Sequence, residues 1–177
     1  MNIHPIFVHF PIALFTVYAV IELIWSKSFR ANVSTLWLKT TLLVTGIIGA
    51  QVSLMTGETA EHLLGESTLI EKHSTFANLT VWIFGILLVS YILHILDKKI
   101  VFPKIKTFLE KRQPQDILVR VWGILVKGKD FLIMTPVVYI LAIVGLLAVT
   151  VTGALGGAIV YGPEVDPIVQ FVYNVLM

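Results

Sequence analysis

Residues 76–96 read FANLTVWIFGILLVSYILHIL, a stretch without any Asp, Glu, Lys or Arg. About 20 consecutive apolar residues are enough for a helix to cross the hydrocarbon core of a bilayer, so this stretch predicts a membrane-spanning helix. The composition agrees, because 56% of the 177 residues are hydrophobic and 14% are charged. Soluble domains have a larger charged fraction. We therefore expect an all-α integral membrane protein.

Three further stretches are apolar enough to span a membrane, and they lie at residues 5–25, 33–56 and 131–159. The first stretch lacks a basic leader and a small-residue cleavage site, so we expect a retained helix rather than a signal peptide. In lipid, helices satisfy their own backbone hydrogen bonds. The sequence therefore predicts a four-transmembrane-helix up-down bundle, formed by a single membrane domain of residues 1–177.

The basic residues are distributed unequally between the two sides of the predicted bundle. Twelve of the 13 Lys and Arg residues lie near the connection 26–32 or in the connection 97–130, and Lys72 alone lies on the opposite side. By the positive-inside rule, both basic connections are cytoplasmic and both termini are periplasmic. We expect a multi-pass protein of a bacterial inner membrane.

Two segments outside the predicted spans are apolar but short. Within the insertion 97–130, the stretch DILVRVWGILVKGK at 116–129 predicts an additional interfacial helical segment that lies in the headgroup region as an anchor. A helix that docks a partner protein is the alternative. The tail at 165–177 is too short to span, and we expect it on the outer surface or against a partner subunit.

Four of the five histidines fall at the outer ends of the predicted spans. His9 lies about one turn inside the first span and His73 about one turn before the third, so their depths are comparable. Two neutral imidazoles from different helices at one depth suit the axial ligation of one b-type haem. The favoured pair is His9 and His73. The alternative ligands are His4 and His62.

Small and polar residues near these histidines are candidates for the same cofactor site. Gly153, Gly156 and Gly157 offer a smooth surface to a planar ring or, equally, to a neighbouring helix. Lys72 could neutralise haem propionates. Gln51, inside the second span, could hydrogen-bond to a helix, a quinone or the cofactor.

A second group of residues is suited to binding a metal ion rather than haem. Glu58, Glu61 and His62 have the spacing i, i+3 and i+4, which places them on one helical face. With a histidine from the first helix they could bind zinc, copper or non-haem iron. The alternative is a solvated helix end with capping acids, because GETAEH matches no established metal motif.

On the cytoplasmic side the pattern predicts structural roles. His94 is 21 residues from His73 along one helix, or roughly 31 Å, and no other histidine lies at that depth. A second bis-histidine haem is therefore not expected. Glu22 and Lys39 lie at similar depths near the cytoplasmic face, and we expect them to pair for stability.

At these residues the chain resembles the bacterial membrane proteins grouped as domain of unknown function 2231. The resemblance covers nearly the whole chain and rests on HPIFVHFPIAL at 4–14, the acids after Thr56 and Gly57, the histidine before the third helix, and GALGGAIVYG at 153–162. It implies a four-helix membrane domain whose histidines are expected haem or metal ligands, encoded near redox proteins. The chain departs from that pattern in the insertion 101–130, the tail, and Ser74, where an arginine is usual. Lys72 is then the candidate for that positive charge.

The sequence as a whole predicts a cytochrome b-like electron-transfer subunit, which links a periplasmic electron carrier to quinone or to a larger redox complex in the membrane. It shows no nucleophile motif, phosphate loop, cysteine or nucleic-acid signature, so a non-catalytic role is favoured. The first alternative is a cofactor-free accessory subunit of a respiratory or photosynthetic complex. The second is a membrane protein that binds a metal through His and Glu.

Overall fold

The computed structural model describes residues 4–24, 32–65, 67–97 and 117–177, with the backbone alone for residues 4–6, 60 and 62–64. All regular secondary structure within these ranges is helical. The helices are α1 (His4–Leu23), α2 (Val33–Leu64), α3 (Thr68–Asp97), α4 (Ile117–Met134), α5 (Val137–Tyr161) and α6 (Pro167–Leu176). The fold class predicted from the sequence is therefore confirmed as all-α.

Three of these helices are long and apolar enough to cross a membrane, namely α2 over Val33–Thr59, α3 over Thr68–Asp97 and α5 over Val137–Tyr161. Helix α1 is apolar over Phe7–Leu23 and falls just short of that length. The structure therefore supports a membrane protein with three candidate spans among the described residues.

The boundary between α4 and α5 differs from the expected start of the last span at residue 131. The chain turns at Thr135 and Pro136, and α5 begins at Val137. Pro136 has no amide hydrogen and its ring excludes the preceding turn of a continuous helix, so the helix is interrupted there. The insertion 97–130 is helical in its second half, as expected, and residues 98–116 lie outside the described ranges.

Helices α1, α2, α3 and α5 pack around one core in alternating directions. Helix α1 packs on α2 and α5, and α3 packs on the same two helices, so α1 and α3 occupy opposite corners. The close pairs are Pro11 with Gly49 and Glu22 with Lys39 between α1 and α2, and His73 with Gly156 and Phe84 with Gly145 between α3 and α5. In each helix pair the contacts run in opposite order along the two chains, which establishes the up-down arrangement.

An aromatic layer between two glycines fixes the middle of the core. The rings of Phe15 and Phe84 stack with centroids 4.2 Å apart and an interplanar angle of 5°. A Cβ at Gly46 would lie 2.5 Å from the Phe15 ring, and a Cβ at Gly145 would lie 2.8 Å from the Phe84 ring. Each phenyl ring therefore occupies the space that a side chain on the facing helix would need.

The two remaining helices lie at opposite ends of the bundle. At the end where α1 and α3 terminate, called the inner end below, Lys129 of α4 is 2% exposed, and its ammonium lies 2.7 Å from Asp97 Oδ2 and 2.6 Å from Asp130 Oδ1. Burial lowers the pKa of Lys129, but the carboxylates of Asp130 and Asp97 outweigh it and raise the pKa above its ordinary value. Helix α4 is thereby held to the end of α3 by buried charge.

At the outer end, α6 packs on α3 and α5. The side chain of Asp166 accepts hydrogen bonds from the amides of Ile168 (2.8 Å) and Val169 (2.9 Å), which caps the helix. Val169 and Val172 are buried against α5. The tail thus lies against the bundle of its own chain.

Candidate functional site

The outer end of the bundle, where α1 and α3 begin and α2 and α5 end, contains the histidines predicted to bind a cofactor. His73 lies in the second turn of α3 and is half-buried against α5. Its Nδ1 is 3.0 Å from the backbone oxygen of Thr152. A carbonyl oxygen can only accept a hydrogen bond, so Nδ1 carries the hydrogen.

This hydrogen bond fixes the chemistry of the His73 ring. In the neutral imidazole, protonation at Nδ1 leaves Nε2 as the basic nitrogen. Metal-binding histidines commonly donate their other ring N–H to a backbone carbonyl, which holds the ring orientation and increases the basicity of the ligand. The contact with Thr152 therefore anchors the His73 ring through Nδ1.

The three glycines of α5 contact three different helices. A Cβ at Gly156 would lie 3.2 Å from Cε1 of His73, and one at Gly157 would lie 3.3 Å from Val169 of α6. Gly153 faces Ile12 of α1 at 3.8 Å. The close approach of helices, which was the alternative to a cofactor surface, is therefore what these glycines provide here, and Gly156 admits the His73 ring itself.

The packing register places His9 and His73 at the same depth. Ile12 of α1 lies at the level of Gly153, and because α1 and α5 run in opposite directions, one turn outward leads to His9 and to Gly156. Gly156 contacts His73. Two of the predicted ligands thus share one level, on helices at opposite corners of the bundle.

The side chain of His9 nevertheless lies on the exposed face of α1, away from the core of the bundle. His9 is exposed, and it shares a helical face with Ala13, Val17 and Val20, which are also exposed. The buried face of α1 carries a different set of residues: Pro11, Phe15, Tyr18 and Glu22.

The alternative metal ligands are only partly described. Glu58 is exposed and Glu61 is half-exposed, and both lie on α2, which continues to Leu64 as the i, i+3, i+4 interpretation requires. The side chains of His4 and His62 lie outside the described residues. Among the described side chains, no three His, Asp or Glu residues are close enough to share a metal ion.

Lys72, predicted to face a cofactor, contacts α6. Its ammonium donates a hydrogen bond to the backbone oxygen of Leu176. A cation at the carboxyl end of a helix satisfies a free carbonyl and favours the helix dipole. Lys72 therefore links the start of α3 to the last turn of α6.

The inner half of the bundle contains a buried polar cluster that the sequence revealed only in part. The predicted pairing of Glu22 with Lys39 is confirmed, with Lys39 Nζ 3.0 Å from Glu22 Oε1. The Tyr91 hydroxyl donates to Glu22 Oε2 at 2.5 Å. Tyr18 lies beside them, its ring edge-on to Tyr91 with centroids 6.2 Å apart.

Thr152, Tyr91 and Tyr18 were not identified from the sequence as members of either site. Threonine and tyrosine are ordinary residues in membrane helices, and only the rotation of each helix decides which of them meets His73 or Glu22. Gln51, considered for a quinone, is exposed on α2, and His94 is half-buried on α3.

Comparisons with family models, curated proteins and solved structures found no match to this chain.

Proposed function

We propose that this protein is a four-span subunit of a bacterial inner membrane, with α1 as the fourth span. Helix α1 has 20 residues, the length needed to cross a hydrocarbon core. It packs along α2 and α5 within the same core. The basic connections then face the cytoplasm and both termini face the periplasm.

We propose further that the outer end of the bundle binds one b-type haem and that the subunit transfers electrons between a periplasmic carrier and quinone or a larger redox complex. The observation that carries this proposal is the hydrogen bond from His73 Nδ1 to the Thr152 carbonyl, an anchoring contact that is common for metal-binding histidines. When bound, the haem supplies one-electron redox chemistry.

The second ligand comes from α1 in this proposal. His9 lies at the depth of His73 but on the exposed face of α1, and the side chain of His4 lies outside the described residues. A bis-histidine haem would take His73 and one of these two residues as its ligands. The chain's own contribution is to hold the His73 ring through Thr152 and Gly156 and to exclude water with the surrounding apolar side chains.

Single alanine variants test the ligand assignment through the haem content of the purified protein. H73A is expected to lose the haem, and either H4A or H9A is expected to lose it too, which identifies the second ligand. H94A is the matched control, since His94 lies at the other end of the same helix. Retention of full haem content by H73A would contradict the proposal.

A second candidate function is that of a cofactor-free accessory subunit in a larger membrane complex. In this role the three α5 glycines serve helix packing, and Gly156 and Gly157 lie close to side chains of α3 and α6. This role is favoured by an exposed apolar stripe on α6, where Ile168 is 62%, Phe171 68% and Val175 65% exposed. A protein that stays colourless when haem is supplied during expression, and that copurifies with other subunits, would establish this function instead.

The third candidate, a zinc, copper or non-haem iron site, rests on Glu58 and Glu61 with His62 and His4. Because α2 is helical to Leu64, positions 58, 61 and 62 lie on one face of the helix. Metal analysis of the wild type and of E58Q/E61Q separates this function from the accessory role.

A further inference from the structure

Helix α6 has two apolar faces, and only one of them packs on the bundle. Val169 and Val172 are 6% and 8% exposed, because they are buried against α5. The helix contains no charged residue, and its two amide side chains, Gln170 and Asn174, are exposed on a third face. A second row of apolar side chains, called the α6 stripe below, is left open at the spacing i, i+3 and i+7: Ile168, Phe171 and Val175.

Helix α6 lies across the bundle axis. Near its start, Val169 contacts Gly157 of α5, and at its end the backbone oxygen of Leu176 accepts a hydrogen bond from Lys72 of α3. The antiparallel register of α3 and α5 puts Lys72 level with Gly157. Seven residues of helix separate the two contacts, or roughly 10 Å, and a helix parallel to the axis would separate their levels by that distance.

The level of α6 lies close to the expected edge of the hydrocarbon core. Helix α5 has 25 residues and is roughly 37 Å long, whereas the hydrocarbon core of a bilayer is about 30 Å thick. Gly157 lies one turn, or roughly 6 Å, before the end of α5 at Tyr161. Helices that lie in the membrane surface bury their apolar face at this depth, between the headgroups and the acyl chains.

The handedness of the helices decides on which side of the bundle α6 lies. Seen from the outer end, α5 winds counterclockwise, so Gly153, which faces α1, lies about 60° counterclockwise of Gly156, which faces α3. Helix α3 runs the other way, so Lys72 lies about 100° counterclockwise of His73, which faces α5. These two rotations put α1 and α6 on opposite sides of the α3–α5 pair.

On that side, the direction of the α6 stripe follows from the course of the helix. Helix α6 runs from α5 towards α3 with its valines turned to the pair. The stripe precedes the valine face by about 100° in the right-handed winding, so it points along the bundle axis towards the inner end. Gln170 and Asn174 point the opposite way, towards the water.

We propose that α6 is a membrane-surface helix and that its stripe inserts into the acyl-chain boundary of the leaflet at the outer end. The partner is lipid hydrocarbon, because an uncharged apolar row at this depth that points into the bilayer meets acyl chains. The surface is continuous with the exposed end of α5, where Val160 is 56% and Tyr161 74% exposed. Asp166 and Lys72 fix the two ends of the helix. The inference is independent of haem binding.

Spin labels on single cysteines of the full chain in phosphatidylcholine liposomes test the proposal. Oxygen concentrates in the hydrocarbon of a bilayer, whereas a charged or chelated nickel ion stays in the water. We expect labels at I168C, F171C and V175C to collide more often with oxygen than with the nickel complex. The matched controls Q170C and N174C, on the same helix, should show the reverse preference.

Two outcomes would overturn the proposal. Stripe labels that collide with nickel as often as the controls would place the stripe in water, as docking of a subunit outside the bilayer requires. Stripe labels shielded from both reagents would show that a second copy of the chain covers the stripe instead of lipid.

A pair of double variants tests the contribution of the same contact to the order of α6. The stripe packs on no other part of the bundle, so F171S/V175S removes membrane contact and leaves the valine face intact. Amide hydrogen exchange of residues 167–176 in the liposomes should accelerate at least about tenfold, because burying a phenylalanine side chain shifts an equilibrium by more than that factor. Q170S/N174S should exchange like the wild type, and equal rates in the two double variants would refute the insertion of the stripe.

Discussion

Lys39 lies inside α2 among apolar neighbours, and its position is explained by Glu22 on the facing helix. The similar depths of the two residues were enough to predict their pairing from the sequence. The additional bond from Tyr91 and the neighbouring hydroxyl of Tyr18 were not predictable, because tyrosines in a span are indistinguishable from packing residues until the rotation of each helix is known.

The ion pair makes a prediction about stability. K39M should destabilise the protein by about 3–5 kcal/mol, because it leaves the buried Glu22 carboxylate without its partner. The double variant E22Q/K39M should recover most of that loss. Unfolding in mixed detergent micelles measures both, with K127M as an exposed control. Equal losses for K39M and the double variant would contradict this account.

For the histidines, too, the sequence predicted the depth of a side chain along its helix but not the direction in which it points. The sequence placed His9 and His73 at one level, and the packing register of α1 against α5 agrees with that. It could not show that His9 shares the exposed face of α1, since one residue of rotation changes the direction of a side chain by about 100°.

At the level of helix packing, α2 contacts Phe15 of α1 at Gly46, and α5 contacts Phe84 of α3 at Gly145. The sequence did not identify Gly46 and Gly145 as partners of Phe15 and Phe84, because these partners are distant along the chain. The aromatic layer therefore emerges only from the assembled bundle.

Alanine at these glycines should be harmful. G46A and G145A place a Cβ 2.5 Å and 2.8 Å from a phenyl carbon, so each should cost about 1–3 kcal/mol through strain in the core. G85A is the matched control, because a Cβ at Gly85 meets no atom within 4 Å. The free energies of unfolding of the three variants test this prediction. A G145A protein as stable as G85A would contradict the described packing.

Helix α4 should be attached through the charge of Lys129. The pKa of this lysine is raised above its ordinary value of 10.5, so its contribution to stability is fully present below about pH 10.5 and is lost as the pH rises through the raised value. At neutral pH, D97N should weaken the same attachment. Amide hydrogen exchange of residues 117–134 reports both effects, and exchange of α4 unchanged by D97N would argue against an attachment by this ion pair.

At the scale of the whole molecule, hydropathy and charge predicted the helical class and the antiparallel order of the bundle. They did not predict the break at Pro136 as the start of the last long helix, since residues 131–134 are as apolar as the span itself. The tail was predicted to be apolar and short, while its attachment through Lys72 and Asp166 depended on contacts between distant parts of the chain.

The proposed orientation can be measured by labelling, because the chain has no cysteine. In intact cells stripped of the outer membrane, a membrane-impermeant maleimide should label E164C, which is periplasmic in the proposed orientation. It should label K127C only after the cells are broken, because the proposed orientation places α4 in the cytoplasm. Both native residues are exposed. The reverse pattern would invert the topology and place the histidines in the cytoplasm.

We propose that the outer end of this bundle binds haem through His73. The decisive experiment is the reduced-minus-oxidised visible spectrum of the purified protein, combined with a pyridine haemochrome assay. We predict a sharp low-spin b-type α-band and about one haem per chain. A protein that remains colourless after haem is supplied during expression would contradict the claim.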